Sequence, residues 1–129
     1  MGFGAPLKSF KNLKRQSVSD LLEKGIIFFN SGHYFDAHEA WEDLWRPSGG
    51  PLRLFYQGLV QGAVGMHHLS KGNLNGATAQ LGKSLEKLRQ YPETFCGIDN
   101  AKLVASLEAA MLELTPRAIL ISRRETQAG

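Results

Sequence analysis

The chain has 129 residues, 43% of them hydrophobic and 21% charged, a single-domain length and a composition that excludes both a disordered and a fibrous chain. Its lone cysteine, Cys96, excludes an internal disulfide and fits a reducing compartment. The net charge of +3 is unevenly spread: residues 1–16 carry four bases and no acid, 17–116 carry eight bases and eleven acids, and 117–129 carry three bases and one acid.

A nucleic-acid binder needs its positive charge on a folded face, whereas here the body is acidic, so no nucleic-acid partner is expected. No membrane association is expected either. The longest uncharged stretch, Leu54 to Leu69, contains Tyr56, Gln57, Gln61, His67 and His68 and falls short of the roughly 20 apolar residues that span a bilayer. Residues 1–16 are expected to be a flexible basic arm, 17–116 a single helical domain, and 117–129 a C-terminal tail.

Helix punctuation runs through the whole body. Ser17 with Asp20, or Ser19 with Glu23, can cap a first helix carrying Leu21, Leu22, Ile26, Ile27 and Phe29 and ending at Gly32. A second helix runs from His33 or Tyr34 to Arg46 and is stopped by Pro47 and the Gly49-Gly50 pair. Pro51 suits the first turn of a third, which continues to Lys71 and Gly72. Asn73 caps a fourth, with the stripe Leu74, Ala77, Leu81, Leu85 and Leu88, ending before Pro92. Asn100 opens a fifth with Leu103, Val104, Leu107, Met111 and Leu114, and Pro116 stops it. No alternating strand pattern of useful length occurs. The expected fold is all-α, a compact antiparallel bundle of about five helices.

The first four helices also contain an internal echo. Gly25, Gly32, Tyr34, Ala37 and Trp41 recur 40 residues later as Gly65, Gly72, Leu74, Ala77 and Leu81. Each unit reads as helix, glycine turn, helix, which predicts two stacked tetratricopeptide-like hairpins with the fifth helix as a cap.

Helix two carries the chemistry. Tyr34, Ala37, Trp41, Leu44 and Trp45 form its apolar arc, with His38 and Glu42 stacked at its edge because they are four residues apart. Asp36 and Asp43 project to solvent, with Glu39 and Arg46 on the margin. On helix three, Gln57, Gln61 and His68 share a stripe roughly 40° wide. Gly58, Gly62 and Gly65 form a neighbouring strip where another backbone can approach closely. His67 points about 100° away from His68. Helices two and three pack antiparallel, so His38 and Glu42 are expected to face Gln57, Gln61 and His68.

Two readings of that polar set follow. In one it is a structural staple, Glu42 pairing with a histidine while the glutamines bridge the helices. In the other His38, Glu42 and His68 hold a divalent cation, zinc, manganese or iron, whose bound water attacks an ester, amide or phosphate bond with Glu39 or Glu42 as the catalytic base. The His-Glu-x-x-Glu spacing differs from the zinc-protease pattern, which ends in a second histidine. Cys96, with no evident base beside it, reads as inert.

The segment Phe29 to Arg46, with His38-Glu39 and Glu42 to Trp45 at its heart, then Gln57-Gly58 and Gln61, His67-His68, Gly72-Asn73 and Gly76-Ala77, resembles domain-of-unknown-function family 309. That resemblance spans residues 25–90, about half the chain. It implies a compact helical domain, a bacterial, archaeal or plastid-type setting, and the label of predicted metal-dependent hydrolase. It further implies that His38, Glu39, Glu42, Trp45, Gln57 and His68 are signature positions. The expected location is cytoplasmic, or the plastid stroma for a plant protein.

Three functional classes follow. The favoured one is a structural or binding module with an internal His/Glu/Gln polar site, taking a small molecule or a protein partner. A small-molecule pocket would be lined by Phe35, Trp45, Gln57 and Gln61, whereas a protein partner would use an apolar groove between the hairpins. The alternative is a metal-dependent hydrolase. A homodimer is compatible with the open face that two hairpins and one capping helix leave.

Overall fold

The computed structural model describes residues 17–115 and 118–124, so the basic arm at 1–16 lies outside the described residues. In chain order the elements are α1 (Val18–Asn30), α2 (Tyr34–Trp45), α3 (Gly50–Ser70), α4 (Leu74–Leu88), β1 (Thr94–Phe95), β2 (Ile98–Asp99) and α5 (Asn100–Glu113). Each helix packs chiefly on its sequence neighbours, and the four tightest pairs are α1–α2, α2–α3, α3–α4 and α4–α5. The all-α expectation holds, with a two-residue β-hairpin as its only strand pair among the described residues.

The helix starts follow local chemistry. Ser17 Oγ accepts from the Asp20 amide at 3.0 Å, and Asn73 Oδ1 accepts from the Gly76 amide at 3.0 Å. Pro51 sits in the first turn of α3, where its missing N–H costs nothing. The fifth helix departs by one residue from expectation. Asp99 is the cap, accepting from the Lys102 amide at 3.1 Å, while Asn100 is the first helical residue and is buried. The Lys102 amide, then the Arg124 guanidinium, hold the Asp99 carboxyl below its ordinary range.

The 40-residue echo is geometrical as well as sequential. Both hairpin turns end on a left-handed glycine, Gly32 at φ 82° and Gly72 at φ 79°. His33 N donates to Phe28 O at 2.8 Å, and Asn73 N donates to His68 O at 2.9 Å, so the same turn closes twice. The buried interiors correspond too. A Cβ on Gly25 would lie 2.0 Å from Trp41 Nε1, and one on Gly65 would lie 2.7 Å from Leu81 Cδ2. Each glycine therefore receives the large side chain that its repeat partner predicts. Trp41 is wholly buried and its Nε1–H donates to Leu22 O at 3.2 Å.

The glycine strip of α3 seats α4. A Cβ on Gly58 would meet Leu88 at 2.9 Å and one on Gly62 would meet Ser84 Oγ at 3.0 Å. Buried Ser84 uses the approach to donate to Gly58 O at 2.7 Å. On its other sides α3 buries Phe55, Tyr56, Leu59, Val60, Ala63, Met66 and Leu69, as expected of a central helix.

The β-hairpin turns through Cys96 and Gly97, both at positive φ. Burial pushes the Cys96 thiol above its ordinary range, which keeps it protonated and a poor nucleophile at neutral pH. Residues 118–124, expected as part of a tail, return across α1 and β2. Ile119 and Ile121 are buried, Asp99 N donates to Ser122 O at 2.8 Å, and Arg124 N donates to Gly97 O at 3.1 Å. The Asn30 side chain clamps Ile121 from both sides, accepting from its N–H at 2.7 Å and donating to its carbonyl at 3.0 Å.

Candidate functional site

The polar residues of α2 form a ladder along one edge. His38 Nε2 lies 3.2 Å from Glu42 Oε2, and Arg46 Nη2 lies 3.0 Å from Glu42 Oε1. Both carboxylate oxygens of Glu42 are thus engaged. His38 Nδ1 lies 3.3 Å from Phe35 O, so both ring nitrogens face oxygen atoms. The pair is half-buried rather than sealed, with His38 18% and Glu42 28% exposed at the side chain. The expected seclusion from water is therefore partial.

Across from this ladder α3 presents His67. The half-exposed ring of Phe35 stands between two imidazoles, 5.2 Å from His38 and 5.6 Å from His67. At the other end of α2 the Arg53 guanidinium covers the Trp45 indole at 4.4 Å. Arg53 Nη1 also donates to the carbonyls of Trp45, Arg46 and Ser48 at 3.2–3.3 Å, closing the C-terminus of α2. Trp45 Nε1–H beneath it is buried and has no hydrogen-bond partner.

His68 does not join His38 and Glu42. Its Nδ1 lies 3.2 Å from Asn73 Nδ2, and a Cβ on Gly76 would come within 2.9 Å of its ring. His68 thus rests on the turn into α4. The repeat supplies the reason: 40 residues earlier its place is taken by Phe28, which lies edge-on to His33 at the equivalent turn. Gln57 and Gln61 share the His68 stripe and are half-buried, with Gln61 Oε1 enclosed and unpartnered. The residue of α3 whose ring meets α2 is His67, through Phe35, in place of the His68 that was expected there. Among the described residues no three His, Cys, Asp or Glu side chains converge on a point where they could hold a metal ion.

Glu39 is exposed on the margin of α2 that faces α1. It lines a groove of about 320 Å³ between α1 and α2, with Leu21, Lys24, Phe28, Asp36, Ala40 and Asp43. Round the helix it stands about 60° from Glu42 and about 100° from His38. Sequence reasoning missed His67, Arg46 and Arg53 as members of the α2–α3 seam, although the 40-residue echo already assigns position 68 to the turn.

Burial, together with the nearby charges of Lys71, His68 and His38, lowers the His67 pKa below its usual 6.5. The unfolded chain then binds the proton more readily than the fold does. Stability is expected to fall as pH drops below about 6.5 toward the depressed value. Urea midpoints between pH 7.5 and 5 should show this slope, and His67→Gln should flatten it.

Residues 22–80 match the family described as domain of unknown function (DUF309). They comprise most of α1, all of α2 and α3, and the first half of α4, which includes the whole α2–α3 seam. The chain is also 26% identical over 94 residues to an uncharacterized protein of Aquifex aeolicus (strain VF5). That alignment covers 72% of this chain and 28% of the relative, so the chain spans less than a third of that protein's length. None of the helices among the described residues is long and apolar enough to cross a membrane.

Proposed function

We propose that this domain is a binding module whose contact surface is the α2–α3 seam. One observation carries the reading: the Trp45 Nε1–H is enclosed on that seam without an acceptor. Leaving such a donor unpaired costs on the order of 1–3 kcal/mol, a cost that a partner's acceptor removes. The surroundings suit a ligand with a second, apolar end. Phe35 is 51% exposed between two imidazoles, and Arg46 and Arg53 supply positive charge at the far end. A small molecule or peptide segment with an acidic or carbonyl acceptor and an apolar group fits that order.

The closeness of His38 to Glu42 supports a competing reading, the metal-dependent hydrolase. There His38, Glu42 and His68 would surround zinc, manganese or iron, with Glu39 or Glu42 as base. That arrangement requires His68 to leave Asn73 and Glu42 to release His38 and Arg46. The two readings separate in one set of measurements. Thermal denaturation is followed with a panel of carboxylate- and amide-bearing aromatic compounds, and separately with zinc, manganese and ferrous ions. The binding module predicts organic ligands that raise Tm, by the equivalent of about 2.7 kcal/mol at a hundredfold excess over Kd. Trp45→Phe should abolish that gain while costing the free domain about 1 kcal/mol or less, because no hydrogen bond is lost. Stoichiometric metal binding that disappears in His38→Ala, with no organic ligand effect, would instead overturn the binding-module reading in favour of the metal site that the hydrolase reading requires.

A further inference from the structure

The groove between α1 and α2 has the complementary chemistry of residues 1–16, and we infer that this arm is its occupant. The floor of the groove is apolar, from Leu21, Phe28 and Ala40, and its rim carries Asp36, Glu39 and Asp43 against Lys24, with Arg46 Nη1 3.3 Å from Asp43 and His33 Nδ1 3.9 Å from Asp36. Residues 1–16 carry Lys8, Lys11, Lys14 and Arg15 and no acid. Charge thus matches charge across a contact that also has apolar surface to bury.

Spacing strengthens the match. After Pro6, the apolar residues Leu7, Phe10 and Leu13 recur every third position, which on a helix covers an arc of about 120°. Lys11 falls about 40° and Lys8 about 100° outside that arc, so neither interrupts it. Leu7 to Leu13 would extend about 9 Å as a helix, and Leu21 to Phe28 along α1 extend about 10 Å. The connection also fits. Lys14, Arg15 and Gln16 separate Leu13 from the Ser17 cap, a length typical of helix–helix links in bundles. Ser17, where the arm is attached, lies one turn from Leu21, at the end of the groove that Asp43 borders. Covalent attachment so close holds it at an effective concentration near the millimolar range, which favours it over a second copy of the chain or a separate basic partner.

Zero-length carbodiimide coupling on the full chain tests the inference, using an equal mixture of ¹⁴N- and ¹⁵N-labelled protein so that links within and between chains are told apart by mass. The expected result is amide links from Lys8, Lys11 or Lys14 to Asp36, Glu39 or Asp43 within one chain. Their yield should fall at least fivefold in the double variant Leu7→Asp, Phe10→Asp, with the helical circular dichroism retained. Glu39→Lys, at an exposed site, gives an independent check and should reduce the links to Asp36 and Asp43 by a similar factor. Mixed-isotope links would assign the groove to a second copy and overturn the proposal. So would arm lysines coupled evenly to carboxylates across the surface, or yields that neither variant changes.

Discussion

Asn100→Asp is expected to destabilise the domain by about 3–5 kcal/mol at neutral pH, the cost of an uncompensated buried charge. The side chain is 2% exposed, and its Nδ2 donates to the carbonyls of Leu88 at 3.0 Å, Pro92 at 3.2 Å and Tyr91 at 3.5 Å. Those bonds tie the end of α4 to the start of α5 across the turn at Pro92. A carboxylate in the same place would put negative charge against three acceptors. Protonation restores a donor, so the defect should shrink as pH is lowered through the elevated pKa of the new acid. Asn100→Ala separates the two contributions. It removes the donor without adding charge, and it also removes Asn100 Oδ1, which is buried and unpartnered. Its cost should be smaller, about 1–3 kcal/mol, and free of that pH dependence. Urea denaturation of the three proteins at pH 7.5 and pH 5 measures both effects. Equal losses for both variants at both pH values would show that the amide is not holding the α4–α5 junction.

Gly25→Ala should cost about 3 kcal/mol, the upper end of overpacking, because the added methyl would lie 2.0 Å from Trp41 Nε1. The indole has no room to yield: Trp41 is wholly buried, its ring centroid lies 5.8 Å from that of Phe29, and its N–H is committed to Leu22 O. The control lies on the same protein. Gly82 is inside α4 with open space where its Cβ would be, so Gly82→Ala should stabilise by about 0.5–1 kcal/mol through helix propensity alone. Opposite shifts of Tm for the same chemical change would confirm that Gly25 is kept for the contact, not for flexibility.

The paired glycines also show how much of the architecture was legible beforehand. The match of Gly25 to Gly65 and of Trp41 to Leu81 was visible as an echo, and the fold places each large side chain on its own glycine. Helix ends at Gly32, Pro47 and Gly72 were legible for a similarly local reason, since capping and φ restrictions act within one turn. The hairpin at Thr94–Asp99 was not, because two-residue strands are too short to show alternation. Nor was the clasp between Asn30 and Ile121, whose partners are 91 residues apart and whose amide-to-backbone bonds leave no periodic trace.

The candidate site divides along the same line. His38 and Glu42 pair because they are four apart on one helix, a relation that the sequence determines unaided. So are the five helices, their order and the doubled hairpin, all products of short-range periodicity and capping. Which face of α3 meets α2 was decided only by tertiary packing. Gly58, Gly62 and Gly65 admit α4 so closely that they set the rotation of α3, and His67 lies about 180° round the helix from that strip. That rotation directs His67 to Phe35 and leaves His68 on the turn with Asn73, because a helix surface fixes spacing between side chains but not the direction in which the whole cylinder is turned.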